Sequence, residues 1–296
     1  MIDVKIYYTF YDGYITMDLI NYTKLSEFCD LLVVLMFRND RSGSAATINR
    51  WVAEKTNNKV SEIVSEAAID QLTRLILVNA IYFKGDWLEK FNANFTNDAD
   101  FHVSPKESVI VKMMYLEDKK LLYGVNHELH CQAVELPYAG DTLSMFIILP
   151  DLKTTNLAEV EKKLSIHALI NVASEFKMAK MEVELWLPRF HLDERLSLAE
   201  VLSGMGMKDL FTQGAADLSG VDGTKELYVS KVLHRAVVDV NEEGTEAAAA
   251  TACVVHLLCY TEPNRFCADH PFLFFIQDRA TKSILFIGRL AKPPAA

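Results

Sequence analysis

The sequence lacks the features that mark several common classes of protein. Its longest apolar run near the start, from Leu31 to Phe37, is far shorter than the roughly 20 residues that a membrane-spanning helix needs. No linker rich in Gly, Pro or Ser separates its helix and strand periodicities, and no internal repeat is present. These absences predict one continuous globular domain with no membrane segment, and we expect a monomer.

An excess of basic residues is also lacking. Asp and Glu number 40 against 30 Lys and Arg, which gives a net charge of −10 and a pI near 5.3. Binding to nucleic acid or to an anionic membrane needs clustered positive charge, so neither is expected as a partner. Residues 1–20 carry no signal-peptide pattern. The compartment is left undecided: an N-terminus that continues upstream would suit an extracellular protein, and otherwise the cytoplasm is expected.

Cysteine pairs and catalytic motifs are lacking as well. The five cysteines are odd in number and show no short paired spacing, which argues against a zinc site or a disulfide framework. The sequence has no nucleophile elbow, no phosphate-binding Gly-rich loop and no zinc-protease motif. The nearest metal-like cluster, from His127 to Cys131, leads into a strand and is interpreted as structural. We expect no enzyme activity, no metal and no cofactor.

Bulky apolar side chains are missing from the nine residues Gly244 to Ala252. Such a segment buries too little area to anchor itself in a core, so one interpretation is a mobile, exposed stretch. The other is a strand held in reserve. At a period of two residues, one face would carry Thr245, Ala247, Ala249 and Thr251, and the other would carry Glu246, Ala248 and Ala250. Small inward side chains would let this segment enter between two existing strands.

The run Glu242 to Thr251 resembles the hinge of inhibitory serpins, the serine protease inhibitors that insert a reactive loop into a sheet. Loop insertion in serpins is itself an established example of strand addition and strain release. Other motifs follow in family order. Leu77–Trp87 and Val229–Ala236 resemble the third and fifth strands of the central sheet, and Ala268–Ile276 and Ile284–Arg289 resemble the C-terminal strand pair.

The resemblance implies a serpin fold, an α/β mixture of mostly antiparallel sheets with surrounding helices and an exposed reactive loop. It implies suicide inhibition of a serine protease, with Leu258–Cys259 as the reactive bond by counting from Gly244. A bond one residue away is the alternative, and either Leu257 or Leu258 suits the apolar primary pocket of chymotrypsin-like or elastase-like proteases. The hinge residues that the resemblance implies are Glu242, Glu243, Gly244, Thr245, Glu246, Ala247, Ala248, Ala249 and Ala250.

Two polar clusters are implied by the same resemblance. Asn79 and His234 match the shutter, a hydrogen-bonded cluster that controls opening of the central sheet; two separately satisfied core residues are the alternative. Arg189 and Glu242, with Trp87 nearby, match the breach at the top of that sheet. The alternative is an ordinary surface salt bridge, which contributes about 0–1 kcal/mol.

Residues 1–42 show no family resemblance, whereas residues 43–296 resemble part of a serpin domain. We therefore expect an N-terminally truncated serpin without its first helices and first central strands, with the strand Leu72–Phe83 as a long apolar edge. A serpin-fold binding protein without inhibition, or an inactive truncated product, is the alternative function. Sequons at Asn21 and Asn94 matter only if the chain is secreted.

Sequence periodicity also predicts individual elements. Residues 46–57 should end a helix, and a hairpin should form around the turn at residues 137–141. Asn156 should cap a helix that starts at Leu157. A helix is expected over Leu196–Leu202. The remaining strands are predicted at Met181–Leu187, Leu227–Val240, Phe272–Gln277 and Ser283–Leu290.

Overall fold

The computed structural model describes residues 41–70, 72–242 and 263–293. They divide into two compact units. The first unit contains residues 84–191 and 240–242 together with 263–293, and the second contains residues 41–70, 72–83 and 192–239. In chain order, the helices and strands are α1 (Arg41–Lys55), β1 (Leu75–Phe83), β2 (Asn97–Ser104), β3 (Glu107–Asn126), β4 (Cys131–Pro137), β5 (Leu143–Pro150), α2 (Leu157–Lys163), α3 (Ile166–Ile170), α4 (Val172–Glu175), β6 (Ala179–Pro188), β7 (Phe190–Ser197), α5 (Ala199–Gly204), α6 (Ser219–Asp222), β8 (Val229–Val240), β9 (Asn264–Cys267), β10 (Phe272–Asp278) and β11 (Ile284–Leu290).

The second unit is built on a three-stranded sheet of order β1-β8-β7. β1 and β8 run parallel, and their register pairs Leu77 with Val232 and Asn79 with His234. Within the described ranges, β1 is therefore an edge strand of this sheet, as expected for a serpin-like domain without its first central strands, although it begins at Leu75 rather than Leu72. Parallel neighbours cannot be joined by a tight turn, so the long chain segment between them is required by the topology.

Helix α1 and the loop that follows it cover one face of this sheet. Ile48 and Val52 on the helix share a buried cluster with Ile76 and Ala80 of β1. The Asn49 side chain reinforces this packing: it accepts hydrogen bonds from the backbone N–H groups of residues 63 and 64, at 2.9 and 3.0 Å, and donates to the carbonyl of residue 64. The helix and the loop are thus fastened to each other by a side chain, and to the sheet by apolar burial.

The first unit is an eight-stranded sheet in which seven strands follow the order β11-β10-β5-β4-β3-β6-β9, and β2 pairs with β3. Most pairs are antiparallel, and β6·β9 is parallel. β3 is 20 residues long and pairs with β6 between Met113 and Tyr123 and with β4 near its end. Gly124 of β3 lies so close to the segment between α4 and β6 that a Cβ there would be 2.2 Å from the carbonyl oxygen of Phe176. Only glycine permits this approach.

Short helices cover one face of this sheet. Leu157 and Val160 of α2 join Phe146 of β5 and Phe275 of β10 in a buried cluster, and the two phenylalanine rings stack at 5.0 Å. Asn156 caps α2, because its side-chain oxygen accepts from the N–H of Glu159 at 3.1 Å. No helix within the described ranges is long and apolar enough to cross a membrane.

The mixed, mostly antiparallel fold class, the Asn156 cap and the hairpin are confirmed. Gly140 and Asp141 adopt positive φ in the hairpin turn, and β4 and β5 flank it. One element was wrong: the expected helix over Leu196–Leu202 begins only at Ala199. β7 continues to Ser197 because its alternating burial and its pairing with β8 extend the strand, so tertiary pairing overrides the local helical pattern.

Candidate functional site

A cluster of hydrogen bonds to one carboxylate lies just after β8, at the start of the predicted hinge. The guanidinium of Arg189 donates to both carboxylate oxygens of Glu242, at 2.5 and 3.1 Å, and the hydroxyl of Thr96 donates to the same carboxylate at 2.7 Å. The Glu242 side chain is 4% exposed, whereas that of Arg189 is 49% exposed. Glu242 is therefore a buried anchor held by a partner that solvent can reach.

Trp87 lies beside this anchor. Its indole N–H donates to the carbonyl of Asn241 at 2.8 Å, and its ring stacks on Tyr138 at 4.5 Å. The backbone N–H of Leu88 donates to the carbonyl of Pro137, and the backbone N–H of Ala139 donates to the carbonyl of Asp86. These two hydrogen bonds join the chain segment around Trp87 to the segment around Tyr138. The structure thus brings together Trp87 and the Arg189–Glu242 pair, the three residues that the sequence assigned to the breach. Their functional role stays a prediction.

The pKa of Glu242 reflects opposing effects. Burial alone would raise it, but hydrogen bonds from Arg189 and Thr96 outweigh burial and lower the pKa below its ordinary value. Glu242 is thus ionised at neutral pH. A charged, hydrogen-bonded side chain at this point fixes where the chain leaves β8.

Asn79 and His234 are brought together in the second unit. They are register partners in the parallel β1·β8 pair, and both are buried. No described residue hydrogen-bonds to either ring nitrogen of His234. Desolvation by burial lowers the pKa of His234 to about 4, so the imidazole is neutral at pH 7. The two predicted shutter residues are neighbours, and their assignment to a shutter stays a prediction.

One cluster was missed by the sequence reasoning. The guanidinium of Arg235 donates to both carboxylate oxygens of Asp193 on β7, at 2.7 and 2.6 Å, and also to the carbonyl of Glu62 in the loop after α1. This buried arginine ties β8 to β7 and to the covering loop. An arginine beside the apolar residues Ala236 to Val238 of the predicted strand was the signal that could have identified it, because buried charges need partners.

The rest of the predicted site lies outside the described residues. This applies to eight hinge residues and to the reactive bond, namely Glu243, Gly244, Thr245, Glu246, Ala247, Ala248, Ala249, Ala250, Leu258 and Cys259. The hinge sequence begins directly at the described anchor Glu242.

Comparisons with known proteins decide the family. The family model described as "Serpin (serine protease inhibitor)" matches residues 27–293. The chain belongs to the serpin family. Two curated relatives are named leukocyte elastase inhibitor: this serpin is 47% identical over 250 residues to the one from Bos taurus and 49% identical over 249 residues to the one from Xenopus tropicalis. The alignments cover 83% of this chain and 66% and 65% of the relatives, so the chain spans just under two thirds of their length.

Solved serpin structures agree in fold. Uncleaved ovalbumin superposes with a TM-score of 0.77 at 32% identity, covering 88% of this serpin and 65% of ovalbumin. Serpin48 of Tenebrio molitor gives a TM-score of 0.74 at 34% identity, covering 86% of this chain and 66% of that protein. The serpin fold expected from the motifs is therefore confirmed.

Proposed function

We propose that this serpin inhibits serine proteases as a suicide substrate through its reactive loop. The supporting observation is the β1·β8 pair: two parallel strands lie side by side, and the second leads directly into a hinge sequence of small residues. A strand that continues from the end of β8 and turns back between β8 and β1 would run antiparallel to both. Completing the sheet in this way would supply the driving force.

The chemistry belongs to the protease. Its catalytic serine attacks the carbonyl carbon of Leu258, the bond to the Cys259 nitrogen breaks, and the amine of Cys259 takes a proton and leaves. Leu258 is then esterified to the protease. Insertion of the hinge from Gly244 carries this acyl-enzyme away before water hydrolyses the ester. The serpin contributes strand insertion and no catalytic group.

The target class follows from the residue at the reactive bond. Leu258 fills an apolar primary pocket, as in chymotrypsin-like and elastase-like proteases, and would leave the buried carboxylate of a trypsin-type pocket unpaired. The curated relatives are named for inhibition of leukocyte elastase. We expect elastase-like and chymotrypsin-like proteases to be the partners.

The hinge provides the sharpest test of inhibition. Thr245→Arg places a cation on the inward face, where insertion must bury it without a partner at a cost of several kcal/mol. We expect this variant to be cleaved as a substrate, without the SDS-stable complex formed by the wild type with chymotrypsin or elastase. Glu246→Arg is the matched control, because its side chain points outward in the inserted strand and should leave complex formation intact.

Equal complex formation by the two variants would contradict insertion. Absence of a complex with the wild type itself would favour the alternative, a serpin-fold protein without inhibition. A protease whose catalytic serine is replaced by alanine gives the background of non-covalent association.

Specificity is tested at the reactive bond. Leu258→Arg should shift cleavage and inhibition from chymotrypsin to trypsin, because the arginine pairs with the acidic trypsin pocket. Mass spectrometry of the C-terminal fragment released by chymotrypsin from the wild type should show a sequence that begins at Cys259. A dominant cut outside residues 256–260 would refute the assigned register.

A further inference from the structure

A side-chain hydrogen bond crosses the seam between β1 and β8, the line along which the two strands meet. The hydroxyl of Tyr82 on β1 donates to a carboxylate oxygen of Asp239 on β8 at 3.1 Å. The bond is diagonal, because the register partner of Tyr82 is Val237, two residues before Asp239. Both side chains are half-buried. Tyr82 and Asp239 together are named the cross-strand latch.

The latch lies on the face of the sheet that α1 and its loop cover. The Tyr82 ring packs against the buried cluster that contains Ala80 and Val237. The Nζ atom of Lys59, in the loop after α1, lies 5.6 Å from the centre of the same ring. Packing and the lysine contact both involve the ring and not the hydroxyl. A phenylalanine at residue 82 would therefore keep them and lose only the hydrogen bond.

The Tyr82 hydroxyl is a protonated donor to a charged acceptor. Burial, the charge of Asp239 and the hydrogen bond to it raise the pKa of Tyr82 to about 12, so the phenol keeps its proton at neutral pH. A hydrogen bond to a charged group contributes a factor of about ten or more to an equilibrium constant, and half exposure places this bond at the lower end. The latch should therefore favour the closed seam by about tenfold.

The position of the latch along the strands decides when it breaks. The hinge sequence starts at Glu242, three residues after Asp239, so the hinge would enter the seam from this end. Neighbouring strands lie about 4.8 Å apart, and a strand that enters between β1 and β8 doubles that distance. A hydrogen bond of 3.1 Å cannot survive an increase of about 4.8 Å. The latch thus belongs to the closed seam alone.

We propose that the cross-strand latch is the first side-chain contact that the hinge must break, and that Tyr82 and Asp239 thereby set the rate at which the reactive loop enters between β1 and β8. The two are positioning residues, because they act on the seam and not on the reactive bond. This inference rests on the proposed inhibition. Its consequence is kinetic: the speed of entry decides whether the acyl-enzyme is carried away or is hydrolysed first.

The first experiment opens the seam with no protease present. A synthetic peptide with the sequence of residues 245–252, labelled with a fluorophore, is mixed with the intact protein, and annealing is followed by fluorescence anisotropy. The same peptide with Arg in place of its first Thr is the control that should not enter. We expect Tyr82→Phe to anneal the peptide about tenfold faster than the wild type. An unchanged rate, or no annealing to either protein, would overturn the proposal.

The matched control is Tyr115→Phe. Tyr115 of β3 donates to Glu184 of β6 at 3.2 Å, and this bond is also diagonal, because the register partner of Tyr115 is Trp186. Burial and Glu184 raise the pKa of Tyr115 to about 12 as well, and both side chains are half-buried. Tyr115→Phe therefore removes the same kind of hydrogen bond from the other sheet.

Stability and annealing should separate the two variants. We expect Tyr82→Phe and Tyr115→Phe to lose similar stability in urea denaturation, because each loses one tyrosine–carboxylate hydrogen bond. The rate of peptide annealing should change by less than about twofold in Tyr115→Phe. Equal acceleration in the two variants would overturn the proposal, since general destabilisation would then explain the faster annealing.

A double-mutant cycle tests whether Asp239 is the partner through which the hydroxyl acts. Asp239→Ala removes the acceptor, so adding Tyr82→Phe in this background should change the annealing rate by less than about twofold. A full tenfold acceleration by Tyr82→Phe in the absence of Asp239 would overturn the latch, because the hydroxyl would then act through another group.

The second experiment follows the reactive loop itself. Ala248→Cys, on the outward face of the hinge, carries an environment-sensitive fluorophore in a background whose native cysteines are replaced by serine. After rapid mixing with chymotrypsin, the fluorescence change should be about tenfold faster with Tyr82→Phe than without it, and fewer molecules should be cleaved without forming a complex. Equal rates with and without Tyr82→Phe would overturn the proposal.

Failure of the latch can be told apart from failure of inhibition. If the wild type forms no covalent complex with active protease, the proposed function fails, while peptide annealing still decides whether the latch holds the seam closed. If covalent complexes form but Tyr82→Phe leaves the rates of peptide annealing and loop entry unchanged, inhibition stands and the latch is refuted.

Discussion

The Arg189–Glu242 pair should stabilise the protein more than an ordinary surface ion pair does. Arg189→Met keeps most of the side-chain volume and removes both hydrogen bonds to the Glu242 carboxylate. The loss leaves a buried carboxylate, 4% exposed, that accepts hydrogen bonds from the hydroxyl of Thr96 and from its own backbone N–H. Since a hydrogen bond to a charged group is worth about 1.5–3 kcal/mol, and since solvent reaches Arg189, we expect a loss of about 2 kcal/mol.

The chain offers a matched comparison. Arg195 bridges Glu62 at 3.5 Å, and both side chains are about half exposed. Arg195→Met should cost less than about 0.5 kcal/mol, as exposed pairs do. The two substitutions are the same in chemistry and nearly the same in the exposure of the arginine, so their difference reports the burial of the carboxylate together with its two-point hydrogen bonding.

Urea denaturation followed by tryptophan fluorescence measures these differences. A double-mutant cycle with Arg189→Met and Glu242→Gln should give a coupling free energy above about 1 kcal/mol at pH 7. Because the pKa of Glu242 is lowered in the folded state, its contribution is complete above the ordinary glutamate pKa of about 4.3 and is lost as the pH falls through the lowered value. A coupling below about 0.5 kcal/mol at pH 7 would show that the pair is an ordinary surface salt bridge.

Two further substitutions, the second with a control substitution, probe the two units separately. The pKa of His234 is about 4 in the folded state, below the ordinary 6.5, so the unfolded chain binds the proton first as the pH falls. The free energy of unfolding of the wild type should therefore fall by up to about 3 kcal/mol between pH 6.5 and pH 4. His234→Phe should remove this loss in urea denaturation, and an unchanged pH dependence would contradict the reasoning. Gly124→Ala should lower the free energy of unfolding by at least about 2 kcal/mol, since the new Cβ would lie 2.2 Å from a carbonyl oxygen. Gly204→Ala is the control, and it should be neutral or slightly stabilising because nothing lies within 4 Å of its new Cβ. Equal melting temperatures of the two variants would refute the close approach at Gly124.

Much of the fold could be predicted because its strands carry strong local patterns. The strands β5 and β10 are almost wholly buried, and each contains five consecutive apolar residues, Met145–Leu149 and Phe272–Ile276. The Asn156 cap and the positive-φ turn at Gly140 depend on a few neighbouring residues, so local sequence patterns predict them directly. The start of α5 was misplaced because pairing with β8 extends β7 to Ser197, a long-range effect that local periodicity does not contain.

The candidate site was predicted in part. Trp87, Arg189 and Glu242 were found through motifs, and the structure places them in one cluster. Thr96 was missed, since a hydroxyl 146 positions away from Glu242 has no pattern that links the two. The partner of Arg235 was missed for the same reason. Polar partners across a fold are set by tertiary packing rather than by spacing along the chain.

The central claim is that the reactive loop enters between β1 and β8. An engineered disulfide that joins these strands, used here as a reversible lock, tests this claim most directly. Val78 and Leu233 are register partners, and neighbouring strands are about 4.8 Å apart, within reach of a disulfide. The variant V78C/L233C, in a background whose native cysteines are replaced by serine, is incubated with chymotrypsin in oxidised and reduced form. We predict cleavage at residue 258 without an SDS-stable complex when the lock is closed, and a covalent complex when it is reduced. The same outcome in both redox states would contradict insertion between these strands.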